Sequence, residues 1–174
     1  IVEGASGLLS ISGGKLTTYR IMAQELVDRI AARTGHHTPC ATEAWPLAGA
    51  VGWAEAAPAL AKRGAALGLS AATIAHLATS YGTLAEEVLD RITIDPALAA
   101  PLDPDLPVVR AEVDHAAATE LALTVADVLE RRLRLGIEAT DHGVGAAPYV
   151  AERLGAIYGW DDATRAQQIA AYRT

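Results

Sequence analysis

A pair of glycines followed by a lysine is the part of this sequence whose residue types are best suited to chemistry. Gly13 and Gly14 end a short apolar run at residues 7–12, and Lys15-Leu16-Thr17 opens an amphipathic segment. Glycines let a ligand approach the backbone closely, and the free N–H groups at the start of a helix favour negative charge. Lys15 adds a full positive charge at the same point. The pattern predicts a site for a phosphate, a carboxylate or a negative charge that develops on a cofactor ring, and a plain strand-to-helix turn with a solvated lysine is the alternative.

The spacing of these glycines differs from that of two well-known phosphate-binding loops. It matches neither Gly-x-x-x-x-Gly-Lys-Ser/Thr nor Gly-x-Gly-x-x-Gly. Binding of nucleotide phosphates by those two mechanisms therefore has no support in this sequence.

Two elements must hold the glycine pair in place. Residues 7–12 read Gly-Leu-Leu-Ser-Ile-Ser and predict one short buried strand. Apolar residues then recur at steps of three and four, which predicts an amphipathic helix over residues 15–34 that ends at Gly35. Prolines and glycines interrupt any regular spacing of apolar residues from residue 36 to residue 53, and this stretch is interpreted as a linker.

The rest of the sequence predicts helices without strands. The expected helices cover residues 54–67, 71–80, 84–91, 108–119, 124–134, 146–157 and 161–172, with a proline-rich connector over 94–107 that has at most one helical turn near 97–100. Thirty-eight residues are Ala and none is Phe, and Ala is the best helix former and a poor strand residue. The composition therefore favours closely packed helices.

Charge and cysteine content limit the classes of function. Fourteen Lys and Arg against 21 Asp and Glu give a net charge of −7, which argues against nucleic acid as a partner. The single Cys40 cannot form an internal disulfide, and a reducing, cytoplasmic compartment is expected. No apolar run reaches the roughly 18 residues of a membrane span, so at most peripheral membrane contact is expected.

Other candidate residues favour structural roles. His36, His37 and Cys40 do not complete four metal ligands, so no metal site is predicted. The remaining histidines, at positions 76, 115 and 142, lack an obvious base or nucleophile partner. In the helix 124–134, the sequence predicts the ion pairs Asp127–Arg131 and Glu130–Arg134, and the alternative is that Arg131 and Arg132 bind an acidic surface of another domain or subunit.

Two stretches of the sequence carry a family resemblance. The first is the run at residues 7–12 followed by Gly13-Gly14-Lys15-Leu16-Thr17-Thr18-Tyr19-Arg20. The second comprises Ala111-Glu112-Val113, Glu120, Leu123-Thr124, Asp127-Val128-Leu129 and Arg131-Arg132-Leu133-Arg134-Leu135. The first resembles the end of the flavin domain in FAD-dependent glycerol-3-phosphate dehydrogenases, and the second is similar to the C-terminal helical domain of that family.

This resemblance implies a parent enzyme that oxidises sn-glycerol 3-phosphate to dihydroxyacetone phosphate, reduces FAD and passes electrons to a membrane quinone. It implies that Gly13, Gly14, Lys15, Leu16 and Thr17 bind the pyrimidine side of the flavin, with Lys15 as a catalytic residue. This chain lacks the glycine-rich fingerprint that would hold the ADP half of FAD and the arginines that would hold the substrate phosphate. An N-terminal FAD domain is therefore an expected partner, and the isolated fragment is expected to bind no FAD and to be inactive.

The resemblance also implies a domain layout. Residues 1–35 would be the terminal strand-turn-helix segment of the FAD-binding domain, 36–53 a linker and 54–174 an all-helical accessory domain. The expected fold class is mainly α: a helical domain preceded by one short strand and a strand-turn-helix segment cut from an α/β flavin domain. Without the rest of a sheet, residues 1–34 are expected to expose an apolar patch and to favour a homo-oligomer.

The sequence leaves open one alternative function and two explanations for the first residues of the chain. The helices could form an independent protein-interaction or dimerisation module in which the glycine turn is incidental. The chain begins Ile1-Val2-Glu3 and its only methionine is Met22, which is typical of an excised piece of a larger protein or of an N-terminally processed chain.

Overall fold

The computed structural model describes residues 1–172 and divides into two compact units, Ile1–Pro46 and the chain from Leu47 onward. Helices make up 61% of the structure, and the one sheet of the described residues has two strands. The expected mainly α fold class is therefore confirmed. The division at Pro46 falls inside the predicted 36–53 linker, and the assignment of the two parts to domains stays a prediction.

The first unit begins with a small antiparallel hairpin. Strands β1 (Val2–Glu3) and β2 (Leu9–Ser10) pair with Val2 opposite Ser10 and Glu3 opposite Leu9. The prediction of a single strand over residues 7–12 was wrong in length and in the number of strands. Gly7 has a φ of +81° and its N–H donates to the carbonyl of Gly4, so this end of the predicted strand is the hairpin turn.

A helix follows the hairpin, as predicted. One 3₁₀ turn at Leu16–Thr18 leads into α1 (Tyr19–Thr34), and Gly35 ends it with a φ of +75°. None of residues 1–46 is buried, and Tyr19, Ile21 and Val27 expose more than half of their surface. The first unit therefore has no hydrophobic core of its own, and the predicted exposed apolar patch is confirmed.

The second unit is built from seven helices within the described residues. They are α2 (Trp53–Ala66), α3 (Ala71–Tyr81), α4 (Ala85–Ile94), α5 (Ala111–Thr119), α6 (Leu135–Glu138), α7 (Ala147–Tyr158) and α8 (Asp162–Tyr172). The short α6 was not predicted, and the other helices lie within about three residues of their predicted bounds. No helix among residues 1–172 is both long and apolar enough to cross a membrane.

Helix α5 is shared by the two hydrophobic clusters of this unit. One cluster joins α2, α3, α4 and the start of α5, and the other joins α5 to α7 and to the segment around Leu129. All residues from Ala111 to Ala117 are buried. Three of these seven residues are alanines, and Glu112 and Asp114 have internal partners, so neighbouring helices can approach α5 closely from both sides.

The predicted helix 124–134 is distorted. Its centre, Asp127–Arg132, forms a turn of π-helix, and Arg134 has a φ of +59°. The predicted pair Asp127–Arg131 is present at 3.0 Å. The predicted pair Glu130–Arg134 is replaced by Arg134–Glu138 at 3.2 Å, because the left-handed backbone at Arg134 takes this residue off the helix.

Candidate functional site

The glycine pair adopts a backbone that L-residues with side chains rarely adopt. Gly13 and Gly14 have φ values of +89° and +84°. A Cβ added at Gly14 would overlap the sulfur of Met22, whereas a Cβ at Gly13 would meet no atom within 4 Å. A side chain at Gly14 would therefore displace the end of Met22, whereas Gly13 leaves open space beside the backbone.

The helix start beside the glycines is held by Thr18. The Lys15 N–H donates to Thr18 Oγ1 at 3.1 Å, and the Thr18 hydroxyl donates to the Lys15 carbonyl at 2.9 Å. The first turn leaves the N–H groups of Leu16 and Thr17 without acceptors inside the helix. Lys15, Leu16 and Thr17 are all exposed, so these donors and the lysine ammonium are accessible to an external anion.

An open cleft of about 490 Å³ lies against this turn. Gly13, Gly14, Lys15 and Leu16 line it, and side chains of α1 together with Ile11 provide an apolar wall. Thr17 is the one predicted site residue that does not line the cleft. An apolar wall with a cationic, N–H-rich rim suits a flat ring system that carries negative charge along one edge.

The second unit contains a buried carboxylate that sequence reasoning missed. Glu112 is 0% exposed; its Oε2 accepts from Tyr81 Oη at 2.9 Å and from His76 Nε2 at 2.8 Å, and its Oε1 accepts from the Val109 N–H at 2.8 Å. The interpretation that His76 lacks a partner was wrong. The hydrogen bond to Glu112 raises the pKa of His76 above its usual value, against the opposing effect of burial.

His115 lies next to this carboxylate and has no hydrogen-bond partner at Nδ1. The residue is 1% exposed, and its ring meets the ring of Tyr81 edge-on at 5.1 Å between centroids. The nearest carboxylate oxygen, Glu87 Oε2, is 3.6 Å from Nδ1. Burial lowers the pKa of His115. The presence of Glu112, Asp114 and His115 in an otherwise apolar, alanine-rich helix is the sequence signal that indicates internal partners.

Two arginines of this region bind acceptors on α5 or directly after it. Arg153 binds Asp114 through two hydrogen bonds of 2.5 Å each. Arg132 donates through Nε at 3.1 Å and Nη2 at 2.6 Å to the carbonyl of Glu120, at the C-terminal end of α5. Arg132 therefore binds a backbone carbonyl within this chain, while binding of an acidic surface by Arg131 stays a prediction. Among residues 1–172, no group of three His, Cys, Asp or Glu residues could hold a metal ion.

Comparisons with known proteins identify the family. Residues 40–165 match the family model for the C-terminal domain of alpha-glycerophosphate oxidase. The chain belongs to this family. A glycerol-3-phosphate dehydrogenase 2 of Mycobacterium tuberculosis is 37% identical over 172 residues, which cover 97% of this chain and 29% of that protein.

Glycerol-3-phosphate dehydrogenases of other organisms are also similar to this chain. A glycerol-3-phosphate dehydrogenase of Synechocystis is 33% identical over 98% of this chain and 31% of its own length. A probable mitochondrial glycerol-3-phosphate dehydrogenase of Caenorhabditis elegans is 34% identical over 100% of this chain and 25% of its own length. The chain thus spans less than a third of these relatives, and the matches include the glycine turn as well as the helical unit.

Proposed function

We propose that this chain is the C-terminal part of an FAD-dependent glycerol-3-phosphate dehydrogenase, in which the turn at Gly13–Lys15 forms one edge of the flavin site. The observation that carries the proposal is the open cleft at this turn, lined by four of the five residues expected to bind the cofactor. The left-handed Gly13 leaves space for close approach of a ligand, and none of its neighbours fills that space. The residues present therefore fit a flat ring system that carries negative charge along one edge.

The chemistry of this edge would be electrostatic. Bound FAD supplies the ring that accepts a hydride from the substrate. Lys15 and the N–H groups of Leu16 and Thr17 would hold the negative charge that accompanies this transfer, at the positive end of the α1 dipole. Because the Thr18 hydrogen bonds already fix this turn, the donors need little reorganisation, which is the condition under which such stabilisation is most effective.

The names of the relatives, glycerol-3-phosphate dehydrogenases, support the choice of substrate. We propose sn-glycerol 3-phosphate as the substrate, a membrane quinone as the acceptor and an N-terminal FAD domain as the partner that completes the site. Electron transfer to quinone would bring a cytoplasmic enzyme into peripheral contact with the membrane. The isolated chain, which carries one edge of the site, would be inactive and would bind no FAD.

The test is a lysine substitution in a full-length enzyme that carries this chain as its C-terminal part. Lys15→Ala should reduce kcat with glycerol 3-phosphate and a soluble quinone by about 100–1,000-fold, the cost of removing one preorganised donor. The chain's second lysine, Lys62, is exposed on α2, and Lys62→Ala is the matched control. Unchanged turnover in Lys15→Ala at full flavin content would refute the role of Lys15, and a colourless full-length protein would refute the flavin assignment.

A further inference from the structure

The end of α3 is clamped to the segment Leu47–Gly52, and both contacts depend on glycine. A Cβ added at Gly49 would overlap the carbonyl oxygen of Tyr81, and a Cβ added at Gly82 would overlap the carbonyl oxygen of Gly49. The Thr83 N–H donates to this same Gly49 carbonyl at 2.9 Å. We call this contact between Leu47–Gly52 and residues 81–83 the clasp.

Tyr81 connects the clasp to the buried polar cluster. Its carbonyl contacts Gly49, its hydroxyl donates to the fully buried Glu112 at 2.9 Å, and its ring meets His115 edge-on. The backbone contact at Gly49 leaves no free space, so Tyr81 cannot shift without disturbing the clasp.

His115 is the member of this cluster that has a buried polar atom without a hydrogen bond. Its Nδ1 is buried and has no acceptor, and Glu87 Oε2 lies 3.6 Å away, beyond hydrogen-bond distance. A protonated imidazole at this position needs either that carboxylate or water. The half-exposed Glu87 side chain can turn towards Nδ1 on its own, whereas water can reach a residue that is 1% exposed only if a neighbouring group such as the Tyr81 ring moves.

Charged and titratable groups surround His115 on three helices. They are Tyr81 and His76 on α3, Glu87 and Arg91 on α4, Glu112 on α5 and Glu120 directly after it. The carboxylates favour the protonated imidazole, whereas Arg91 and burial oppose it, and burial is the largest effect. Protonation of His76 strengthens its bond to Glu112 and so opposes any opening.

We propose that the clasp is an acid-released latch, in which protonation of His115 displaces Tyr81 and frees the segment Leu47–Gly52. An open state that hydrates His115 binds more protons than the closed state, so falling pH favours opening. Leu47–Ala50 now form one wall of a groove of about 530 Å³ that Trp53 and residues 78–82 also line, and release of the segment would remove this wall. The latch would thus set whether Leu47–Gly52, the first residues of the second unit, are bound or free.

Hydrogen exchange of the Thr83 amide reports the clasp directly. The full 174-residue chain is followed at pH 7.5 and at about pH 5.5, with rates corrected for the intrinsic pH dependence of exchange. Coupling between linked sites is typically 5–150-fold, and we expect the opening equilibrium to rise about tenfold at the lower pH while core amides of α5 stay protected. Gly49→Ala should give fast exchange at both pH values.

Three variants keep the test decisive. His115→Gln should remove the pH dependence, and the exposed His142→Gln should retain it. Glu87→Gln removes a carboxylate that favours the protonated imidazole in the closed state, and its position is partly exposed, so the variant should fold and shift opening to higher pH. The proposal is overturned if the Thr83 amide opens equally at both pH values in the wild-type chain, or if neither His115→Gln nor Glu87→Gln changes the response.

Discussion

Replacing the buried Glu112 by glutamine tests how the second unit is held together. The carboxylate accepts three hydrogen bonds, two at Oε2 and one at Oε1. A glutamine amide has one oxygen, so in its better orientation it accepts from Tyr81 and His76 while its NH₂ group faces the Val109 N–H. One buried donor then has no acceptor, which costs about 1–3 kcal/mol.

Loss of the negative charge adds to this cost. The His76 hydrogen bond changes from a charge-assisted bond to a neutral one, and bonds to charged groups contribute about 1.5–3 kcal/mol against about 1 for neutral ones. The expected total for Glu112→Gln is about 2–4 kcal/mol of unfolding free energy. For a chain of this size this corresponds to a fall in Tm of roughly 5–15 °C.

Urea unfolding followed by far-ultraviolet circular dichroism measures this difference. Glu55→Gln is the matched control, because Glu55 is exposed in the first turn of α2 and its neutralisation should stay within about 0.5 kcal/mol of the wild type. If Glu112→Gln were as stable as Glu55→Gln, the hydrogen bonds to this carboxylate would not hold α3 to α5.

Three further predictions concern the turn, the end of α5 and the pH dependence of stability. Gly14→Ala should destabilise the first unit more than Gly13→Ala does, since both positions have positive φ but only Gly14 packs against a sulfur atom; proteolysis rates of the two variants compare them. Arg132→Lys should lose the forked bond to the last carbonyl of α5 and about 1 kcal/mol, whereas Arg131→Lys should be nearly neutral in the same urea experiment. His76 has a raised pKa in the folded chain, so its contribution to the free energy of unfolding is complete below the unfolded pKa and is lost as pH rises through the folded pKa. Tm measured from pH 6 to about pH 9 should therefore fall less in His76→Gln than in the wild type. Equal slopes of Tm against pH would contradict the assignment.

Local sequence patterns were sufficient for most of the helices. Ser70 accepts from the Thr73 N–H at 3.0 Å as an N-cap, and the reciprocal bonds between Thr124 and Asp127 are both present at 3.0 Å. Such signals depend on residues three positions apart, and a single sequence contains them in full. The glycine turn was predictable for the same reason.

Long-range partners were not predictable in the same way. His76 and Glu112 are 36 residues apart, and their contact depends on how α3 packs on α5. The hairpin strand at Val2–Glu3 has only two residues and no apolar alternation, so no periodic signal precedes it. The π-turn at Asp127–Arg132 ends at Arg132, whose side chain binds the carbonyl of Glu120, and the local helical pattern indicates neither the turn nor this tertiary contact.

The most direct measurement of the central proposal is the midpoint potential of the flavin in a full-length enzyme that carries this chain. If Lys15 stabilises negative charge on the reduced ring, Lys15→Met should make the potential more negative, while Lys62→Met should leave it unchanged. Equal potentials in the wild type and Lys15→Met, at full flavin occupancy, would contradict a position of this turn at the edge of the ring.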